Sequence, residues 1–184
     1  MRIVTIFTAA FLLFTISIAS DAENKFGIKG QAAPAWDATE WLNLSDGKTK
    51  LNVEDYKGKV VYLTFFQSMC GACIQHGLPT LKDSIDRFDE SEEVAFIAIQ
   101  TAFERFDKNN LDGAKKTAKE FGLSIPVGHQ GSLDKPAPIL WSYDAGGTPW
   151  TVIIDKKGIV RFNNYKISSD QAQVIIDELL AEKP

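Results

Sequence analysis

The chain contains two cysteines, and both belong to the tetrapeptide Cys70-Gly71-Ala72-Cys73. Two intervening residues allow the second sulfur to lie within bonding distance of the first. A helix that begins near Cys70 would point its free backbone N–H groups and the positive end of its dipole at the first sulfur. That field favours the thiolate, which is the attacking species in disulfide exchange. The spacing therefore predicts a redox centre.

The flanking sequence predicts a strand that turns into a helix at this motif. Residues 59–66 are rich in β-branched and aromatic side chains, which is typical of a buried strand. After the motif, apolar residues recur at helical spacing: Leu78, Leu81, Ile85 and Phe88. Residues 94–100 are nearly all apolar and predict a second buried strand, of the kind found in parallel sheets.

The rest of the chain predicts alternating strands and helices. We expect hairpins at 41–51, around Ser45–Lys48, and at 150–162, around Lys156-Lys157-Gly158. Pro126 suggests that 125–127 form a short edge strand. Helices are predicted from Asp112 to Phe121, capped by Asp112, at 138–143, and after Ser168 or Ser169. This order predicts an α/β layer fold with a largely parallel centre.

Length and composition are those of one globular domain, which we place at residues 36–184. The chain has 184 residues, of which 45 % are hydrophobic, enough for a well-filled core. Its 24 acidic residues outnumber 20 basic ones, and no extended basic stripe is present. The charge pattern argues against a nucleic-acid partner.

The first 22 residues predict an export signal. Arg2 precedes an apolar stretch from Ile3 to Ile18, and small residues end the segment at Ala22. The alternative is an uncleaved N-terminal anchor, which would place the protein at a membrane. Residues 23–35 are predicted to be a flexible lead-in. Either interpretation predicts an exported protein, periplasmic or else secreted or anchored, in a compartment where disulfides persist.

These features together resemble a known family. A strand, a CxxC motif at a helix start, a Thr148-Pro149 pair that opens a β-hairpin, and a terminal helix resemble the thioredoxin fold. The exported setting, the N-terminal hairpin and the extra segment around residues 101–130 are similar to its TlpA-like branch, the redoxin-type thiol–disulfide oxidoreductases. The resemblance covers roughly residues 31–180. It implies an α/β, thioredoxin-like fold: a central mixed sheet flanked by helices, with an N-terminal β-hairpin and a β-α insertion.

The resemblance also assigns roles to residues. It implies that Cys70 is the nucleophile, that Cys73 is the resolving cysteine, and that the two form a redox-active disulfide. It further implies that the Thr148–Pro149 bond is cis and that the backbone of Thr148 pairs with an extended substrate. The expected activity is exchange of disulfides with protein substrates, in the reductase direction. The expected partners are protein thiols and disulfides and an upstream electron donor or acceptor, with no cofactor.

Several positions depart from the family pattern. Met69 stands where many relatives have Trp, and Thr64 stands where thioredoxins bury an acid. His76 replaces a Glu that TlpA-like reductases often place three residues after the second cysteine. Pro79, which corresponds to the helix-kinking proline, comes one residue later than usual. The usual proton acceptors for the second thiol are therefore absent.

The two histidines offer alternatives. His76 could accept the proton of Cys73, because residues three apart share a helix face and imidazole titrates near neutral pH; a solvent-facing histidine with no role is the other interpretation. His129 follows a short strand, where such folds present functional groups; an ordinary loop histidine is the other interpretation, and the one favoured. Cys70, Cys73 and His129 would suit Cu(I), so a copper chaperone is the alternative function. Peroxidases of this superfamily carry Thr or Ser where this chain has Gln67, so peroxidase activity is not expected.

Overall fold

The computed structural model of the protein describes residues 25–45 and 47–183. The predicted signal or anchor, residues 1–22, lies outside the described residues. In chain order the elements are β1 Glu40–Leu42, β2 Val60–Phe66, α1 Leu78–Arg87, β3 Val94–Thr101, α2 Leu111–Glu120, β4 Val127–Gln130, α3 Pro138–Ser142, β5 Trp150–Ile154, β6 Val160–Asn164 and α4 Ser169–Ala181. A 3₁₀ turn at Val53–Tyr56 precedes β2, and a π-helical turn at Cys73–Gly77 leads into α1.

The described strands form one mixed sheet in the order β1-β4-β3-β2-β5-β6. β2, β3 and β4 are parallel to one another, and β1, β5 and β6 pair antiparallel to their neighbours. The predicted α/β fold with a central mixed sheet and flanking helices is confirmed. Parallel strands bring their carboxyl ends to one edge of the sheet, and the cysteine motif follows directly after β2 at that edge.

Alternation along β2 divides the core into two layers. Val61, Leu63 and Phe65 face a cluster that includes Trp36 and residues of α3. Val60, Tyr62 and Phe66 face the opposite cluster, which contains Cys73 and the apolar stripes of α1, α2 and α4. Since both faces of the strand are covered, every residue of β2 is buried, as its nearly continuous run of apolar side chains indicates. Cys73 thus belongs to the core itself.

The predicted N-terminal β-hairpin does not form. Its first half becomes β1, which pairs antiparallel with β4 instead of with residues 49–51. Trp41 lies opposite Gly128, where a Cβ atom would come within 3.1 Å of the Trp41 ring. The indole packs on bare backbone there, and Asn43 Nδ2 donates to the carbonyls of Leu123 and Ile125 at 2.9 Å each. These long-range contacts prevail over the local turn signal.

The structure corrects two further predictions, one about a strand and one about a helix cap. The strand predicted at 125–127 begins only at Val127, after Pro126, and it is an interior strand between β3 and β1. The helix α2 is capped by Asn110, whose side chain accepts from the backbone N–H of Gly113 at 2.9 Å, and not by Asp112.

The described part of the predicted flexible lead-in, residues 25–35, is held against the sheet. Gly30 and Ala33 donate backbone hydrogen bonds to Val160 and Gly158 at 2.7 and 2.8 Å. The ring of Phe26 meets Trp150 edge-on at 6.3 Å between centroids. None of the helices in residues 25–45 and 47–183 combines the length and apolar character that a bilayer crossing requires.

Candidate active site

Cys70 occupies the cap position of the helix that follows β2. Its carbonyl accepts a backbone hydrogen bond from Ile74 at 3.1 Å, as the residue before a helix does. Its Sγ accepts the backbone N–H of Cys73 at 3.3 Å, so the sulfur takes the place of a capping oxygen. The predicted placement of the first sulfur at a helix start is therefore present in the structure. A thiolate there faces an N–H group and the positive end of the helix dipole.

A second chain segment meets the same sulfur from the opposite side. The Cys70 thiol lies 3.4 Å from the backbone carbonyl oxygen of Thr148 and donates to it. The Thr148–Pro149 peptide bond is cis in the structure, as the resemblance implies. The start of β5 thus lies against Cys70, and both cysteines are free thiols. Cys70 is partly exposed at this junction.

Cys73 differs sharply from its neighbour, since it is 0 % exposed. Burial, reinforced by the hydrogen bond to Cys70, raises the pKa of the Cys73 thiol to about 12. Hydrogen bonds from the backbone of Gln67 and the side chain of Thr148 act in the opposite direction and lower that pKa. One cysteine is therefore accessible and the other is buried.

The π-helical turn at Cys73–Gly77 joins the second cysteine to α1. Hydrogen bonds from i to i+5 accommodate one residue more than an α-helical turn does. That extra residue accounts for the late position of Pro79, which still falls in the first turn of α1. The turn also brings the helix against the Pro149 ring, because a Cβ atom at Gly77 would lie 2.5 Å from Pro149 Cβ.

The structure does not bring His76 to Cys73. His76 is exposed and has no side-chain hydrogen bond within the described part of the chain. The prediction that His76 and Cys73 share a helix face assumed α-helical geometry. In the wider π-helical turn, side chains that are three residues apart point away from each other. His76 is therefore not the proton acceptor of Cys73 in this arrangement.

His129 is likewise separate from the cysteine pair. β3 lies between β2 and β4, and the Nδ1 atom of His129 is 3.3 Å from Nε2 of Gln100 at the end of β3. Burial lowers the pKa of His129, which favours the neutral ring. Among the described residues no group of three His, Cys, Asp or Glu side chains could hold a metal ion. The copper site of Cys70, Cys73 and His129 is therefore not supported.

The sequence interpretation missed two side chains at this edge. Asn109, in the segment before α2, accepts the backbone N–H of Met69 through its Oδ1 at 3.3 Å and so holds the residue before Cys70. Gln67, the first residue after β2, is 2 % exposed, and its Oε1 lies 3.4 Å from the Thr148 hydroxyl oxygen. A polar amide between an apolar strand and the motif was the available signal for Gln67.

Comparison with known proteins places this arrangement in a family. The profile of the Redoxin family matches residues 28–178, which is most of the chain. The chain belongs to the Redoxin family. Among curated relatives, it is 29 % identical over 131 residues to the thiol-disulfide oxidoreductase ResA of Bacillus thuringiensis (strain Al Hakam), with 71 % of this chain and 66 % of that protein aligned. ResA of Bacillus subtilis (strain 168) is 27 % identical over 119 residues, covering 65 % of this chain and 59 % of the relative.

Solved structures of other proteins share the fold. A thioredoxin-like superfamily protein superposes with a TM-score of 0.74 at 27 % identity, covering 83 % of this chain and 97 % of that one. A thiol-disulfide isomerase from Corynebacterium glutamicum gives 0.70 at 28 % identity, with 82 % and 98 % covered. The chain spans just under two thirds of the length of the first curated relatives it matches. The family match covers residues 28–178, the domain that carries the cysteine pair.

Proposed function

We propose that the protein is an exported thiol–disulfide oxidoreductase that exchanges disulfides with protein substrates through Cys70 and Cys73. The observation that carries the proposal is the setting of Cys70. Its partly exposed sulfur lies between the backbone N–H of Cys73 at 3.3 Å and the carbonyl oxygen of Thr148 at 3.4 Å. The names of the relatives, thiol-disulfide oxidoreductase and thiol-disulfide isomerase, agree with this chemistry.

The reaction proceeds in two displacements. The Cys70 thiolate attacks one sulfur of a substrate disulfide, forming a mixed disulfide and releasing one substrate thiolate. Cys73 then attacks Cys70 Sγ as its proton passes to a released substrate thiolate, which closes the Cys70–Cys73 disulfide and releases the second substrate sulfur. The substrate gains two electrons and the enzyme loses two, so an upstream dithiol donor must restore the reduced pair.

We propose the reductase direction because the motifs of this chain resemble those of the TlpA-like thiol–disulfide reductases. Strong oxidants of this kind owe their potential to a reduced form that is stabilised by a thiolate at the first cysteine, so the measured potential decides the direction. The exported, periplasmic location is proposed from the apolar segment that follows Arg2.

The Thr148 backbone supports the proposed substrate contact. Its carbonyl meets the Cys70 thiol at 3.4 Å, and a bound extended peptide would lie alongside this segment at the start of β5. The groups that recognise the substrate are then largely backbone, which suits protein segments of varied sequence. Met69, exposed beside Cys70, adds an adaptable apolar contact.

Insulin reduction with dithiothreitol as the electron donor tests the proposal. We expect the wild-type protein to accelerate the reaction and Cys70→Ser to abolish the acceleration. Cys73→Ser should stop after one mixed disulfide per chain, detectable by mass spectrometry. A wild-type protein whose two thiols cannot form a reversible bridge would refute the proposal. Equilibration with glutathione gives the potential, and a value near about −270 mV supports the reductase direction, whereas one near about −120 mV contradicts it.

A further inference from the structure

The buried amide of Gln67 has an unusual hydrogen-bond balance. Its side chain is enclosed beside the cysteine pair, and its Oε1 accepts from the Thr148 hydroxyl at 3.4 Å. Its Nε2 atom is buried and has no hydrogen-bond partner. Burying an amide donor without a partner is costly, so such groups in native structures call for an explanation.

The hydroxyl group of Thr148 contacts this amide, and the Thr148 side chain also acts on the second cysteine. It is close enough to Cys73 to lower the pKa of that thiol by hydrogen bonding. A threonine hydroxyl carries a single hydrogen and two acceptor lone pairs. While this hydrogen is donated to Gln67 Oε1, the hydroxyl cannot donate to Cys73. If the hydroxyl instead accepts a hydrogen bond from Gln67, its own hydrogen can be donated to the Cys73 sulfur.

Half a turn of the Gln67 amide exchanges its oxygen and nitrogen, which are similar in size. Nε2 then takes the position 3.4 Å from the Thr148 hydroxyl oxygen and donates to it. The hydroxyl hydrogen is freed for Cys73, and the amide donor that had no partner acquires one. The turn exchanges the hydrogen bond at Gln67 Oε1 for one at Nε2 and adds one from Thr148 to Cys73. The network therefore gains most when Cys73 is a thiolate, because an anionic sulfur is a stronger acceptor than a thiol.

We propose that Gln67 and Thr148 form a two-step chain of hydrogen-bond donors that stabilises the Cys73 thiolate during resolution of the mixed disulfide. Gln67 Nε2–H donates to Thr148 Oγ1, and Thr148 Oγ1–H donates to Cys73 Sγ. The donor chain would stabilise the thiolate in a sequence that lacks the usual proton acceptors, since Thr64 replaces the buried acid and His76 is exposed; the thiol proton itself leaves with the departing substrate thiolate. Gln67 is a positioning residue, because it acts on the sulfur through Thr148. The inference rests on the proposed thiol–disulfide exchange.

The size of the effect follows from the hydrogen bond to a charged group. Losing one such bond raises the pKa of the Cys73 thiol by about 1 to 2. For an increase of about 1, the thiolate fraction at neutral pH falls about tenfold, while the remaining thiolate becomes about threefold more nucleophilic. The resolution step should therefore slow by about three- to fourfold at pH 7.5.

Single-turnover reaction of the full reduced protein with 5,5′-dithiobis(2-nitrobenzoate) separates the two displacements. Attack by Cys70 releases one thionitrobenzoate, and resolution by Cys73 releases the second. Gln67→Met keeps the side-chain length and removes the amide, Thr148→Val removes the hydroxyl, and Thr148→Ser retains it. Gln100→Met is the matched control, because Gln100 is a buried amide at the end of the adjacent strand whose hydrogen bonds go to Ser68, Asn110 and His129.

We expect Gln67→Met and Thr148→Val to slow only the second release and to move its rise with pH to more alkaline values. The double variant should be no slower than Thr148→Val, because both residues act in one chain. Thr148→Ser and Gln100→Met should retain the wild-type second phase. An unchanged second phase in Gln67→Met, equal slowing in Gln100→Met, or multiplied effects in the double variant would overturn the inference. A wild-type protein that gives no second release would instead refute the proposed function.

Discussion

The contact between Gly77 and Pro149 permits a sharp test of how the helix positions the site. Gly77 has helical backbone angles, with φ −60° and ψ −50°, so alanine there is allowed by the backbone. The added Cβ atom would lie 2.5 Å from Pro149 Cβ and 3.1 Å from its Cγ, and ordinary contact begins at 3.4 Å. The proline ring must therefore move by most of an ångström, and the adjoining Thr148 carbonyl moves with it.

Two opposing effects determine how much Gly77→Ala changes the free energy of unfolding. Overpacking of this kind costs about 1–3 kcal/mol, and the higher helix propensity of alanine returns at most about 1 kcal/mol. Gly71→Ala is the matched control, because Gly71 lies in the first turn of the same helix and its added Cβ meets nothing within 4 Å. The difference between the two variants largely cancels the propensity term, so it should equal the overpacking cost of about 1–3 kcal/mol.

Urea unfolding of the reduced proteins, followed by circular dichroism, measures that difference in the free energy of unfolding. We expect Gly77→Ala to unfold at lower urea than wild type, and Gly71→Ala to unfold at the same or higher urea. We also expect Gly77→Ala to react differently with alkylating agents at Cys70, because the Thr148 carbonyl is displaced from its sulfur. Equal stability of the two alanine variants would show that the helix and Pro149 are not in the close contact described here.

Three other predictions concern separate parts of the molecule. Iodoacetamide should modify Cys70 alone in the folded reduced protein, and Cys73 only after unfolding, because Cys73 is fully buried; peptide mass spectrometry showing early Cys73 modification would contradict this. Burial lowers the pKa of His129, so the unfolded chain binds a proton that the folded chain does not, and stability should fall as pH drops below about 6.5. His129→Gln should weaken this dependence of the urea midpoint and His76→Gln should not; the reverse result would exclude His129 as its source. Asn110→Ala should destabilise the protein by about 0.5–2 kcal/mol through loss of the α2 cap, and Asp112→Ala by about 0.5 kcal/mol or less; equal urea midpoints for the two variants would argue against the assigned cap.

Local patterns in the sequence were sufficient for the parts of the fold that depend on neighbours in the chain. The strand before Cys70, the following helix and the β5–β6 hairpin all correspond to short apolar or turn patterns, and the structure contains each of them. The different exposure of the two cysteines was also predictable, because the first sulfur lies at an accessible helix start and the second lies within the helix that packs on the sheet.

Long-range contacts explain what could not be predicted. The pairing of β1 with β4 depends on Trp41 packing over Gly128, far along the chain. The position of His76 depended on a π-helical turn, for which the late Pro79 was the available sign. The role of Gln67 becomes visible only when Thr148, which lies in a different segment, is placed beside it. Residues distant in sequence leave no periodic signal of such encounters.

The complete enclosure of Cys73 has a consequence for survival under oxidative stress. An exposed cysteine that reacts with peroxide becomes a sulfenic acid, and further oxidation beyond that point is largely irreversible. If peroxide oxidises Cys70 to a sulfenic acid, the buried Cys73 remains a thiol and condenses with it, releasing water and closing the disulfide. A dithiol reductant then converts this disulfide back into two thiols, so the oxidation of Cys70 remains reversible.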